Sequence, residues 1–257
     1  MTMIKKLMQH RFLFEELVKR DFKTKYKRTA LGIGWSLLSP LLLLLVLKLV
    51  FTNIYGRTTP HFSIYLFCGV LVWNYFTEAT KGGMRSLMDN SGIFTKVNVP
   101  KYLFLLSKNV QALISFLLTL VILFIFVAFD TLTFSLRYFS LFYPIICLVL
   151  FNIGVGMILS ALYIFFRDTQ YLYDIFTRLL MYLSAIFYTV DKFTPRAQSF
   201  FLLNPLYLFI RYFRSVIIEN TVPDFRFHLL IAVDVLVALG LGCWMYKKNN
   251  TKFLYYI

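Results

Sequence analysis

The chain is 257 residues long, 59% hydrophobic, 19% aromatic and 15% charged, with a mean hydropathy of +0.70. A soluble domain of this length cannot hide that much apolar surface, whereas a bilayer needs about 20 apolar residues per helix, so the composition selects an all-α polytopic membrane protein. The net charge of +15 does not point to nucleic acid, because Lys and Arg gather at the ends of apolar runs beside Tyr and Trp, the pattern of contact with lipid headgroups.

Residues 1–28 are amphipathic and charged throughout, without the apolar core and small residues of a cleaved leader. Ile4, Leu7, Met8, Phe14, Leu17, Val18, Phe22 and Tyr26 recur at spacings of three and four, while Lys19, Lys23 and Lys27 line another face. This predicts a helix within 1–30 lying in the headgroup plane, or a simple anchor. Its basic collar, from Arg20 to Arg28, runs into the first apolar segment and puts the amino terminus inside.

Seven apolar segments follow, at 35–54, 62–80, 110–129, 138–166, 171–190, 199–218 and 229–246. Seven crossings would place the ends on opposite sides, yet the tail carries Lys247, Lys248 and Lys252, so an even number satisfies the positive-inside rule at both ends. The sixth segment is the one expected not to cross: Asn204-Pro205 interrupts it, Arg211 and Arg214 lie within it, and Pro195 precedes it. Residues 192–227 are therefore read as a re-entrant or interfacial hairpin on the outer face. That leaves six transmembrane helices in a single domain, 1–257, with both termini cytoplasmic.

Between the second and third spans, the connection 83–104 mixes Met84, Leu87, Met88, Ile93 and Phe94 with Arg85, Asp89 and Lys96. Such a loop suits docking of a partner, the alternative being a solvated connection. Gly82-Gly83 reads as a helix stop. Lys48 and Asp234 fall at similar depth in the outer half of the first and last spans and are expected to pair, unless Lys48 snorkels and Asp234 meets water. Asp174 and Arg178, four apart, read as a local ion pair.

No G-x-x-x-x-G-K-[ST] is present, so the chain lacks an ATPase site and binds no cofactor of its own. His10, His61 and His228 are far apart and Cys68, Cys147 and Cys243 are isolated, which supports neither a metal site nor a disulfide framework. With no G-x-S-x-G turn, an intramembrane lipid glycosyl- or acyltransferase is the alternative from a different class.

Five marks occur in order at the span boundaries. They are Arg20-Asp21-Phe22-Lys23 and Tyr26-Lys27 followed by Leu31-Gly32 and Trp35; Gly69 with Trp73-Asn74-Tyr75-Phe76; Pro100-Lys101; Phe166-Arg167-Asp168-Thr169; and Asn204-Pro205-Leu206 with Arg214 beyond. Together they resemble, over essentially the whole chain, the membrane subunits of the ABC-2 class of polysaccharide ABC exporters, which move O-antigen, capsule or teichoic acid. The resemblance implies a type V exporter-like fold, two copies of the chain, and two separate ATPase subunits that carry ATP and Mg. It also implies a polyprenyl- or other lipid-linked polysaccharide crossing a bacterial inner membrane.

Residue by residue, the resemblance places Met84, Arg85, Leu87, Met88 and Phe94 on a coupling helix, with Arg167 and Asp168 facing the same ATPase. It places Arg20, Asp21, Lys23, Tyr26 and Lys27 on an interface helix, Gly32, Gly34 and Trp35 where the lipid-linked substrate comes in, and the outer hairpin at a gate. Sugar rings stack on aromatic faces, so Trp35, Trp73, Tyr75, Phe76, Tyr182, Phe187 and Tyr188 are expected along the channel, or else form an interfacial belt. Asn204, Pro205, Arg211 and Arg214 belong to the gate, the arginines receiving a pyrophosphate or contacting headgroups. An ABC-2 exporter of drugs or small lipids is the rival within the class.

Overall fold

A lipid-embedded chain must satisfy its main-chain polar groups within itself, and helices do so segment by segment. The computed structural model describes residues 10–27, 32, 34–52, 61–97, 99–130, 132–249, 252–254 and 256. Among these, every regular element is helical. They are α1 (Arg11–Tyr26), α2 (Gly34–Thr52), α3 (Phe62–Asp89), the single turn α4 (Ser91–Phe94), α5 (Tyr102–Phe129) and α6 (Phe142–Phe165), which a 3-10 segment, Leu136–Leu141, introduces. Beyond α6 come α7 (Thr169–Leu183), α8 (Pro195–Phe201), α9 (Pro205–Ile217) and α10 (Phe225–Asn249). The part of the expected surface helix before residue 10 lies outside the described residues.

The centre of the bundle is α3 packed against both α5 and α6, with α10 on the far side of α6, α1 laid along α5, and α2 against α3 and α5. The α6–α10 crossing is backbone on backbone, because small residues let helices approach where lipid gives no hydrophobic drive between them. A Cβ on Gly154 would lie 2.6 Å from the carbonyl carbon of Ala238, and one on Gly242 would lie 2.8 Å from the carbonyl oxygen of Gly154. At one end of the bundle Leu17 of α1, Leu87, Phe104, Ile164, Tyr246 and Phe253 form a single apolar cluster. Residues near both ends of the chain thus meet at the same end of the bundle. There Lys101 lies 5.5 Å over the Phe253 ring, and partial burial holds its ammonium below the usual lysine range.

Three sequence expectations are corrected. Gly82-Gly83 does not stop the second span: α3 continues unbroken for 28 residues, about 42 Å, past the roughly 30 Å of a hydrocarbon core. The glycines instead admit a neighbour, since a Cβ on Gly83 would lie 3.2 Å from Cα of Gly156. The connection 83–104 consequently shrinks to α4 and its flanking turns, with α5 beginning at Tyr102. The fifth segment, read as 171–190, ends as a helix at Leu183; its 15 residues reach only about 22 Å.

Among the described residues, three helical stretches are long and apolar enough to cross a membrane, Tyr102–Phe129, Leu136–Phe165 and Phe225–Asn249, and α8 with α9, bent by 102°, makes up to a fourth. In α3 the run is interrupted by Asn74, Glu78 and Lys81. The bend at α8–α9 follows from capping: Thr194 and Asn204 stand as N-caps whose side chains accept from Ala197 N and Leu206 N, and Pro195 and Pro205 occupy the first helical positions.

Gly154→Val is expected to lower the melting temperature of the detergent-solubilised protein, overpacking at this crossing costing roughly 1–3 kcal/mol. Gly240→Val, at a position where nothing lies within 4 Å of an added Cβ, should melt like the parent. Equal melting of the two variants would contradict the backbone contact.

Candidate functional site

The site begins with the way α1 is tied down. Asp21, only 4% exposed, accepts from Ser107 Oγ at 3.0 Å and Lys108 Nζ at 3.1 Å on α5 and from its neighbour Arg20 at 2.8 Å. Arg20 also reaches Asn90 Oδ1 at 2.8 Å, at the end of α3. One turn further along α1, Lys25 Nζ meets Glu78 Oε1 at 2.5 Å and Ser115 Oγ at 2.9 Å, and Gln111 Nε2 donates to Glu78 at 3.2 Å. Lys81 pairs with Asp174 of α7 at 2.7 Å. Asp174 is thus engaged across helices, correcting its expected local pairing with Arg178.

These contacts frame a cavity of 690 Å³ walled by α1, α2, α3 and α5. Its polar lining is periodic: Ser115 and Thr119 on α5 face Asn74 and Glu78 on α3, each pair four residues apart and therefore on one helix face. Trp35 and Tyr75 add aromatic surface. A second cavity of 400 Å³ shares Lys25, Glu78 and Lys81 with the first and adds Arg85, Lys108 and Asp174. The two cavities adjoin at Lys25, Glu78 and Lys81, which line both; away from these the first is polar and aromatic, the second charged.

The other half of the bundle is organised around Arg214 of α9. The residue is 2% exposed, and its guanidinium donates to the carbonyls of Tyr65 at 3.2 Å, Ala185 at 2.9 Å and Ile186 at 2.9 Å, while stacking 3.4 Å from the Tyr65 ring centroid. The first two residues past the end of α7, Ser184 and Ala185, form a turn in which Ala185 takes the left-handed φ of 49°, unusual for a side-chain-bearing residue. Gly69 leaves room for the guanidinium: a Cβ there would lie 3.1 Å from Nη2. Asn204 completes the knot, donating to Leu183 O at 3.1 Å and Ser184 Oγ at 3.0 Å.

A family model described as ABC-2 type transporter matches residues 13–218. The chain belongs to that family. It is 26% identical over 256 residues to the O-antigen export system permease protein RfbA of Myxococcus xanthus, covering 98% of this chain and 97% of that one. It is 22% identical over 243 residues to the polysialic acid transport protein KpsM of Escherichia coli, covering 93% and 94%. It is likewise 22% identical over 235 residues to the capsule polysaccharide export inner-membrane protein CtrC of Neisseria meningitidis serogroup B, covering 90% and 89%.

In this ABC-2 chain the expected site residues divide. Trp35 and Tyr75 stand on the groove together with Lys25, Glu78, Lys81, Gln111 and Ser115, five residues that the sequence pattern does not single out. Glu78 carried a legible signal, a carboxylate inside the 62–80 segment four residues after Asn74. Met84 and Leu87 are corrected: at 1% and 0% exposure they are core, because α3 stays helical and keeps its apolar side against its neighbours. Met88 is half-buried and Arg85, Arg167 and Asp168 are exposed, while the Phe94 side chain lies outside the described residues.

Lys23 and Lys27 are exposed, Gly34 opens α2, and Gly32 takes a φ of 51° that favours glycine; the Tyr26 side chain is not among those described. Phe76 is core, Trp73 packs half-buried against it, and Tyr188 sits against Phe193 and Phe201. Pro205 serves as the first residue of α9. Arg211 pairs with Glu219, whereas Arg214 is sealed inside the protein, which corrects its expected contact with a pyrophosphate or headgroup. Asp234 is on α10, which packs on α6 and α9, while α2 packs on α3 and α5; the Lys48 side chain lies outside the described residues.

Asp21→Ala should free the far end of α1. Trypsin cleavage of the folded protein at Lys23 and Lys27 is expected to quicken at least severalfold, since the substitution strands Lys108 half-buried beside an apolar methyl. An unchanged digestion rate would contradict the tether.

Proposed function

We propose that this chain is the permease subunit of an ATP-driven exporter carrying a lipid-linked polysaccharide, of O-antigen, capsule or teichoic-acid type, across a bacterial inner membrane. The observation that carries this reading is the end-to-end similarity to permeases named for O-antigen, polysialic acid and capsule export. The groove supports it. Hydroxyl-rich polymers move past many weak polar contacts and aromatic faces, and Asn74, Ser115, Thr119, Trp35 and Tyr75 supply both.

Six crossings fit the helices: α2, α3, α5 and α6, then α7 continued by α9 as a broken fifth, then α10. In this arrangement α7 rises from the cytoplasmic side, the chain leaves at 184–194, α8 dips back, and α9 resumes the ascent as an outer gate. Both termini are cytoplasmic, which the shared cluster of Leu17 and Phe253 and the basic collar support. Two copies of the chain and two ATPase subunits complete the machine, and the chain brings no phosphate-binding loop of its own. With Met84 and Leu87 buried, the surface left for the ATPase is Arg85, α4 with the exposed Thr95 and Lys96, and the Arg167-Asp168 turn. Gly32, Gly34 and Trp35 flank the way into the groove.

Depletion of this protein is expected to make a complete, lipid-linked polymer accumulate on the cytoplasmic side, and a purified complex should co-elute with an ATPase. Accumulation of an unmodified lipid precursor, with no ATPase in the preparation, would favour a transferase and overturn the reading.

A further inference from the structure

We propose that the charged cavity takes the diphosphate of a lipid-linked substrate, and that Lys25 and Lys81 bind it by exchanging their carboxylate partners, Glu78 and Asp174, for phosphate oxygens. This rests on the export reading above and assigns the charged group of its substrate to particular side chains. Four cations, Lys25, Lys81, Arg85 and Lys108, and three carboxylates, Glu78, Asp89 and Asp174, border the 400 Å³ cavity. Their carboxylates differ in strength of hold. Asp21, partner of Lys108, has a side chain 3% exposed and is a fixed part of the fold.

The Lys25–Glu78 side chains are 30% and 33% exposed and the Lys81–Asp174 side chains 49% and 36%, and ion pairs in contact with water at this level hold weakly. A diphosphate carries more charge than either carboxylate and offers several acceptor oxygens, so it competes for both lysines at once. Glu78 and Asp174 then act as placeholders that keep the lysines extended toward an unfilled cavity.

The surroundings select the source of the diphosphate. Away from the shared Lys25, Glu78 and Lys81 the wall of the larger cavity is neutral, with Asn74, Thr77, Ser115 and Thr119 beside Trp35 and Tyr75, chemistry suited to a sugar. α2, whose Trp35, Ser39 and Pro40 line that larger cavity, presents Leu42, Leu45 and Leu49 outward, between 47% and 66% exposed, a face for an apolar chain. An apolar face, a neutral aromatic chamber and the charged cavity that shares Lys25 and Lys81 with it thus adjoin one another, surfaces for a lipid, a first sugar and a diphosphate. A free anion would use only the charged one.

The test is calorimetric titration of the purified full-length chain, in nanodiscs of zwitterionic lipid, with farnesyl diphosphate, inorganic pyrophosphate and farnesyl monophosphate. Farnesyl diphosphate is expected to bind best. Lys25→Gln and Lys81→Gln should each weaken it about tenfold, whereas Glu78→Gln and Asp174→Asn should tighten it, because each removes a competitor and a repelling charge. A tighter-binding variant cannot be a misfolded one, so the opposite signs separate a binding site from a merely structural network.

Weakening by Glu78→Gln and Lys25→Gln alike, or no binding, would overturn the proposal. Equal binding of pyrophosphate would reduce the site to a free-anion site, and displacement of farnesyl diphosphate by phosphatidylglycerol nanodiscs would reduce it to a general anionic-lipid site; either outcome refutes the lipid-diphosphate assignment. Because no ATPase or polymer is present, failure here leaves the export reading to its own depletion test.

Discussion

The contact between Lys25 and Glu78 is the one from which the α1 side of the bundle follows. A carboxylate in a long, largely apolar helix is costly unless a cation or water meets it, and here the cation comes from the amphipathic α1. That requirement fixes α1 against α5 at the correct height, which in turn explains why Asp21, one turn earlier, is buried among Ser107, Lys108 and Arg20. Three helices are thereby held apart enough to leave a polar groove between them. The same residues that offset the electrostatic cost of Glu78 are the ones a charged substrate would meet.

The α7–α9 side of the bundle solves a related problem in the opposite way. The 15-residue α7 ends at Leu183, and the carbonyls of Ala185 and Ile186 in the stretch that follows lie buried away from water and need donors. Arg214 supplies the donors, and its five N–H groups in a planar fork suit several carbonyls at once better than an ammonium would. The buried charge is permanent scaffolding, packed under Tyr65 and given space by Gly69. One polar network is thus half-exposed and exchangeable, the other sealed. The contrast separates side chains with room to change partner from those fixed in the fold.

Much of this was legible in the sequence, and the rest was hidden for identifiable reasons. The apolar runs located every long helix, and Asn204-Pro205 with Pro195 announced the bend, because proline and the polar residue before it act locally. Gly82-Gly83 misled, since a glycine pair that serves a helix crossing looks the same in one dimension as a pair that ends a helix. Met84 and Leu87 seemed available to a partner only while that false stop stood. Glu78 was passed over because the 62–80 run was read as a whole: Asn74, Thr77, Glu78 and Lys81 are scattered in sequence, yet on one helix they align into a wall. Arg214 was noticed, but its role depends on carbonyls 28, 29 and 149 positions away, contacts that no local pattern encodes.

The central claim is that a lipid-linked polymer passes through the groove between α1, α2, α3 and α5. A photoreactive amino acid placed at Thr77, on the groove wall, tests it in cells whose partner ATPase is catalytically dead, so that substrate stalls in the permease. Illumination should yield a covalent adduct that carries both sugar and lipid, with none formed from Leu236 on the outward face of α10. Sugar-bearing adducts at Leu236 and none at Thr77 would contradict the account.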